Sequence, residues 1–409
     1  MYKIEFTLKQ HTPLIHFQND EGATLRATEL KPKLDQFLIE LFLNERGERF
    51  EYAHEARTKF LSIVKSEHKY DWITGGIKAD ENKIALDYKV NITAKNAIST
   101  KIEANQQVPM FFGNMGNDYN QNPKYFSFSE SVTIYFTTQS DFIKDQIESH
   151  FKLFILTHNF GTRQNKGYGS FVVEGSEAEI NKIKVPKLNF SLKNDDEIQG
   201  KIFKVINYYY QRLKSGINYS NIRDENESYK HSFLKMYVSN NTDYKWEKPW
   251  MKNTFFSQID RNFNPIETGK MSFARALLGL YPSVKFIKDN GRNTNKQYKP
   301  ERTINIVINE NKNEIARIKS PITFKPIILS SNQRNLQIVV LIIINENYFD
   351  PLKNREFTFS SKNLIDGSIN IPSKAIDIEQ LINQYNNIEL KSHFSAYEFS
   401  GKICEVTIS

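Results

Sequence analysis

The chain has 409 residues, enough for two or three domains on a prior of about 100–200 residues each. Its single cysteine, Cys404, excludes an internal disulfide framework and any thiolate-clustered zinc site, and is what a reducing, cytoplasmic setting expects. The net charge of +8 permits a polyanionic partner without requiring one, and no apolar run reaches the roughly 18 residues of a membrane span.

Met1–Glu5 alternates charged and apolar residues and does not read as a signal peptide. Tyr2, Ile4, Phe6 and Leu8 continue that alternation as a strand with one buried face. Ala27, Leu30, Leu34, Phe37, Leu38 and Leu41 then recur at helical spacing, with Pro32 near the start, and a second helix follows over 52–64. A second strand is predicted over 84–92 and a third over 126–136, joined by a long loop, 94–125, rich in Pro and Gly. Phe142, Ile143, Ile147, Phe151, Phe154 and Ile155 return to helical spacing, and a short strand over 168–173 closes the series.

Strand, helix, strand, strand, helix, strand is the order of a ferredoxin-like unit, an antiparallel sheet with both helices on one face. The second half predicts a strand at 190–192, a helix over 198–213, an Asn-rich insertion and a helix over 271–280. Strands at 303–308, 315–329 and 336–344, a helix near 376–385 and a last strand over 402–408 follow. The expected fold is therefore α+β: one ferredoxin-like domain over 1–180, and a second, diverged one over 181–409 with an insertion at about 195–265.

The chemistry concentrates in the segment 158–171, between the last helix and last strand of the first unit. Gly161, Gly167 and Gly169 permit positive φ and close approach to the backbone. Consecutive amides in such a turn can cradle an anion. Arg163 and Lys166 add charge, with Arg suited to bidentate phosphate contact, and Tyr168 offers a ring for base stacking. A helix C-cap followed by a plain turn is the alternative reading.

Downstream, residues 285–334 hold eleven Lys/Arg against four Asp/Glu, nearly the whole excess of the chain. Arg292, Lys296, Arg317 and Lys319, with Lys325 on a strand, form either a phosphate track or a solvated surface.

The run Phe160–Phe171 resembles the G-x-R-x-x-K/R-G-Y/F-G-S-F element of the RAMP superfamily of CRISPR proteins. Thr12-Pro13-Leu14 and Gly22-Ala23-Thr24-Leu25-Arg26 are similar to that superfamily's opening. Phe273–Leu280 and Arg317–Phe324 resemble the second domain of the two-domain subunit at the guide 3′ end of type III-B (Cmr) complexes. Tyr281-Pro282 departs from the small residue expected there, and the first helix reads Thr28-Glu29-Leu30-Lys31-Pro32-Lys33-Leu34-Asp35 where that family usually carries an aromatic-rich one.

The resemblance implies an RNA-binding subunit of a type III effector ribonucleoprotein in antiviral defence. Its partners would be guide RNA, target RNA and other RAMP subunits. RNA contacts would fall on Arg26, Gly161, Arg163, Lys166, Gly167, Tyr168 and Gly169, and on Arg292, Lys296, Arg317 and Lys319. Arg26 would join them because helix N-termini favour phosphate.

Two other readings stand beside it. One is a metal-independent endoribonuclease that processes repeat RNA, for which His11, His16 and His54, the last beside Tyr52 and Lys59, are the candidate groups. Against it, some 240 residues follow the loop, whereas repeat-processing nucleases carry theirs near the C-terminus. The other is a protein–protein scaffold that never touches RNA. No metal motif and no cofactor motif is expected.

Overall fold

The computed structural model describes residues 1–16, 24–50, 52–78, 84–102, 125–193, 198–218, 229–256, 270–279, 283–286, 302–308, 319–329, 335–345, 356–361, 364–370, 376–388 and 407–408. In chain order the first elements are β1 (Tyr2–Gln10), α1 (Ala27–Glu45), α2 (Ala53–Ser66), β2 (Tyr88–Lys95), β3 (Ile98–Lys101), β4 (Tyr125–Phe128), β5 (Ser131–Thr138), α3 (Asp141–Thr157) and β6 (Phe171–Val173). Next come β7 (Lys187–Lys193), α4 (Ile198–Lys214), β8 (Ile217–Asn218), β9 (Tyr229–Lys230), α5 (Phe233–Asn241), β10 (Lys245–Trp246), α6 (Glu247–Phe256) and β11 (Met271–Ser272). The chain ends with β12 (Ser283–Phe286), β13 (Arg302–Ile308), β14 (Ile322–Leu329), β15 (Asn335–Ile344), β16 (Glu356–Ser361), β17 (Leu364–Asn370), α7 (Ile378–Ile388) and β18 (Thr407–Ile408).

The protein is mixed α and β, and it divides into two compact units. The first comprises Met1–Asn207, Thr323–Ile343 and Glu389–Ser409, and the second Tyr208–Ile322 and Ile344–Ile388. The division falls within α4, later than the segment 178–187.

Two four-stranded sheets belong to the first unit. One runs β2-β5-β1-β6, every neighbouring pair antiparallel, with Ile4 opposite Phe136, Phe6 opposite Ile134 and Gln10 opposite Phe171. Period-two alternation turns Ile4, Leu8, Val132, Ile134 and Phe136 to one face, where they meet Leu30, Leu34 and Leu38 of α1 and Ile147, Phe151 and Phe154 of α3. The other sheet runs β14-β15-β7-β18, with Phe190 opposite Ile338 and Ile408 opposite Leu188. A smaller cluster of Leu156, Val172, Ile180, Ile327, Val339 and Leu341 is buried beside Leu329 and Ile343.

The second unit holds a sheet of order β12-β13-β16-β17 and the helices α5, α6 and α7, with β10 and β11 paired in parallel. Tyr209 and Tyr385 pack edge to face within it, and the Tyr209 hydroxyl donates to Asn386 Oδ1 at 2.9 Å.

Several elements differ from expectation. The strand over 126–136 is two strands, because Gln10 Oε1 accepts from the Ser129 amide at 2.8 Å and interrupts the ladder. The strand expected from Ile84 begins at Tyr88; Leu86 makes only an isolated bridge to Ile73. The helix over 271–280 is β11 followed by a 3₁₀ turn, Ala274–Leu278, which ends at Gly279 with φ +94°. Residues 315–318 and 402–406 lie outside the described residues.

Candidate nucleic-acid interface

The segment between α3 and β6 doubles back on itself, and Asn159 bridges Ser170. Gly161, Gly167 and Gly169 take φ of +77°, +91° and +65°. The close approach they permit is to the protein itself. A Cβ on Gly169 would stand 2.0 Å from the Phe160 carbonyl, and one on Gly161 2.6 Å from the Ile15 carbonyl. A Cβ on Gly167 would meet the Pro326 ring at 2.8 Å.

The loop's amides are likewise engaged inside the fold. Gly169 N donates to Pro13 O at 2.8 Å, Thr162 N to Ile15 O at 2.7 Å and Ser170 N to Thr12 Oγ1 at 2.9 Å. Thr12 Oγ1 in turn donates to Gly167 O at 2.6 Å. Gly161 N donates to Glu29 Oε1 at 2.8 Å. The Thr-Pro-Leu motif is thus the bed on which the loop lies. The amides of Gly161, Thr162, Gly169 and Ser170 are thus taken by the protein's own acceptors.

From the other side, β14 fixes the loop residue by residue. Asn159 Nδ2 donates to Phe324 O at 2.7 Å, and Ser170 Oγ donates to Pro326 O at 2.7 Å. Lys325 is fully buried, its ammonium donating at 2.7 Å to both His158 O and Phe171 O, the two ends of the loop. Burial holds its pKa well below the usual lysine range, with Lys33 adding repulsion. Lys325 is therefore an internal staple and not part of a surface track.

Tyr168 also departs from expectation. Its ring is buried, stacked on Phe203 at 4.0 Å and on Phe126 at 6.0 Å, and burial pushes its hydroxyl pKa up. A ring held so has no face for a base.

The charged residues of the loop lie at its tip. Arg163 and Lys166 are half-buried at its tip, where Arg163 sits in the left-handed region with φ +61°, a conformation uncommon for a side chain with a Cβ. Arg26, also half-buried, is the N-cap of α1, its carbonyl accepting from Glu29 N and Leu30 N. One turn on, Lys33 donates to Glu29 Oε1 at 2.7 Å, Asn159 O at 3.1 Å and Gln164 Oε1 at 2.8 Å. Glu29 and Lys33 thus tie the start of α1 to the loop.

Lys319 is exposed; Arg292, Lys296 and Arg317 lie outside the described residues. Sequence reasoning missed Glu29 and Lys33. Their four-residue spacing marked an ion pair, but nothing in the sequence joined them to a loop some 130 residues away.

The histidines do not converge. His11 is buried, its Nδ1 accepts from Ile328 N at 3.0 Å, and burial lowers its pKa to about 3, with Lys325 and Lys9 contributing. His16 is also buried. His54 is exposed and stacks on Tyr52, the extended N-cap of α2, at 5.6 Å. Lys59 pairs with Glu48 at 3.2 Å. Among the described residues no group of three or more His, Cys, Asp or Glu could hold a metal, and no described helix is long and apolar enough to cross a membrane.

Antiparallel sheets flanked by helices, with a basic glycine-rich loop laid over a Thr-Pro-Leu bed, are consistent with the RAMP class that the sequence resembles. Residues 1–217 match the model of the Cmr1 N-terminal domain and residues 229–401 that of the Cmr1 C-terminal domain. The chain belongs to the Cmr1 family, and is a RAMP subunit of the type III-B (Cmr) CRISPR system. It is similar to the crystal structure of Cmr1 from Pyrococcus furiosus (apo form), at 9% identity over 84% of this chain and 88% of that chain, with a TM-score of 0.34. Among curated proteins nothing matches it.

Proposed function

We propose that the protein is a non-catalytic RNA-holding subunit of the type III-B effector ribonucleoprotein, acting in the cytoplasm beside other subunits of that complex. It grips the ribose-phosphate backbone of guide RNA, and of the guide–target duplex, and leaves sequence recognition to base pairing. The observation that carries this reading is the construction of the loop. Its backbone is held from both sides, while Arg163 and Lys166 stand half-buried at its tip, which Lys33 reaches through Gln164 Oε1. Rigid cations suit phosphate, because little side-chain and loop entropy is left to lose on binding. A holding role is further supported by His11, whose ring nitrogen is committed to a backbone amide inside the protein.

We also read both sheets of the first unit as ferredoxin-like. In each, the strands taken in chain order lie second, third, first, fourth: β2-β5-β1-β6 and β14-β15-β7-β18. In each, a helix follows the first strand and another precedes the last. On this reading the first domain spans 1–180 and the second 181–409, and the second compact unit is an elaboration within the second copy. Lys319, with Arg292, Lys296 and Arg317, would extend the RNA path onto that domain.

The test is to purify the protein from its host with and without Arg163→Ala/Lys166→Ala and sequence the RNA that accompanies it. Guide RNA with the unaltered protein, and its loss from the double variant, is the expected result. Equal recovery from both would remove the loop from RNA binding.

A further inference from the structure

Glu29 is an odd residue to find in a phosphate-binding surface. It lies in the first turn of α1, and its Oε1 takes two donors, Gly161 N of the loop at 2.8 Å and Lys33 Nζ at 2.7 Å. An ordinary surface pair at this spacing joins two side chains and contributes little. Here the pair is a clamp. Lys33 also reaches Asn159 O and Gln164 Oε1, and its ammonium lies 4.8 Å from the centroid of the Phe160 ring. Glu29 and Lys33 together therefore touch residues 159, 160, 161 and 164 of the loop.

The donors that Glu29 occupies are ones a phosphate would seek: a glycine amide in a tight turn and an ammonium. A carboxylate seated there satisfies them permanently. Its negative charge is matched by Lys33, so the approach of RNA is not opposed.

We infer that Glu29 is a positioning residue: an internal stand-in for phosphate that locks the Gly161 amide and Lys33, so that RNA meets the loop through the side chains of Arg163 and Lys166 and not through its backbone. This rests on the RNA-holding reading above. It assigns the loop's backbone amides to architecture and its tip side chains to binding.

Two substitutions separate the parts of this role. Glu29→Gln keeps an oxygen acceptor for Gly161 N but removes the charge that engages Lys33. Glu29→Ala removes both. Hydrogen exchange over residues 158–171 reports the lock, and titration of a labelled single-stranded RNA of mixed sequence over a salt series reports the grip. In Glu29→Gln we expect unaltered exchange and unweakened binding. Its salt dependence should steepen by about 0.7 in log–log slope, one more ammonium on phosphate. In Glu29→Ala we expect faster exchange across the loop and binding at least tenfold weaker, with the thermal midpoint showing the domain still folded.

Unaltered exchange and unaltered affinity in Glu29→Ala would overturn this inference alone, as would faster exchange in Glu29→Gln. Absence of RNA binding by the unaltered protein, with exchange responding as expected, would overturn the RNA-holding reading and leave Glu29 a purely structural lock.

Discussion

The ring of Tyr168 stacks on that of Phe203, 4.0 Å between centroids and 15° between planes, so the aromatic residue of the glycine-rich loop belongs to the interior. Tyr168→Ala should cost about 3–5 kcal/mol, the range for emptying a large aromatic site. Tyr168→Phe should stay within about 1.5 kcal/mol of the unaltered protein and bind RNA equally well. Denaturant unfolding and RNA titration of the two variants check this. Weakened RNA binding by a stable Phe variant would return the tyrosine to the binding surface.

The loop glycines answer to the same geometry. Gly175 has φ +76° with nothing within 4 Å of an added Cβ, so Gly175→Ala should cost only the left-handed penalty of about 1–2 kcal/mol. Gly169→Ala would drive a methyl group to 2.0 Å from the Phe160 carbonyl and should cost well beyond that. Comparable thermal midpoints for the two variants would contradict the packing described.

How much of this was legible in the sequence follows from which interactions are local. β1, α1 and α3 were legible because each buries one face, and a buried face writes its period into the chain. The loop's position was legible too, between a helix and a strand already read from their periods. The reason for its glycines was not, because Pro326, Ile15 and Phe160 approach them only in the folded chain. Nor was the fate of Lys325, which counts as one basic residue among eleven in 285–334 yet lies wholly inside. Charge counted along a sequence cannot separate a surface lysine from a staple. The break at Ser129 was likewise hidden, since it depends on the Gln10 side chain reaching across the sheet.

Lys325 makes a prediction in alkali. Its folded pKa lies well below the unfolded value of 10.5, so between the two the unfolded chain binds a proton that the folded protein refuses. Stability therefore rises with pH across that window and levels off above it. The Lys325→Met variant lacks this contribution, and the difference between the two proteins should grow by up to about 1.4 kcal/mol per pH unit. Parallel stability curves would show that Lys325 keeps an ordinary pKa.

His11 makes a prediction of the same sign in acid. Its pKa falls from 6.5 in the unfolded chain to about 3 when folded, so protonation of the unfolded state draws the protein apart as pH drops below 6.5. From pH 7 to 5 the unaltered protein should lose about 2 kcal/mol more than His11→Asn, whose side chain can still accept from Ile328 N. Equal losses, measured by urea unfolding at the two pH values, would show that His11 is not held neutral.

The central claim is that half-buried cations on a fixed loop hold the RNA backbone. The most direct test is the salt dependence of single-stranded RNA binding by the unaltered protein and by Arg163→Ala/Lys166→Ala. Losing two phosphate contacts should make the slope of log K against log salt shallower by about 1.4 and weaken binding most at low salt, with little dependence on RNA sequence. A double variant with unaltered affinity and unaltered slope would contradict the account.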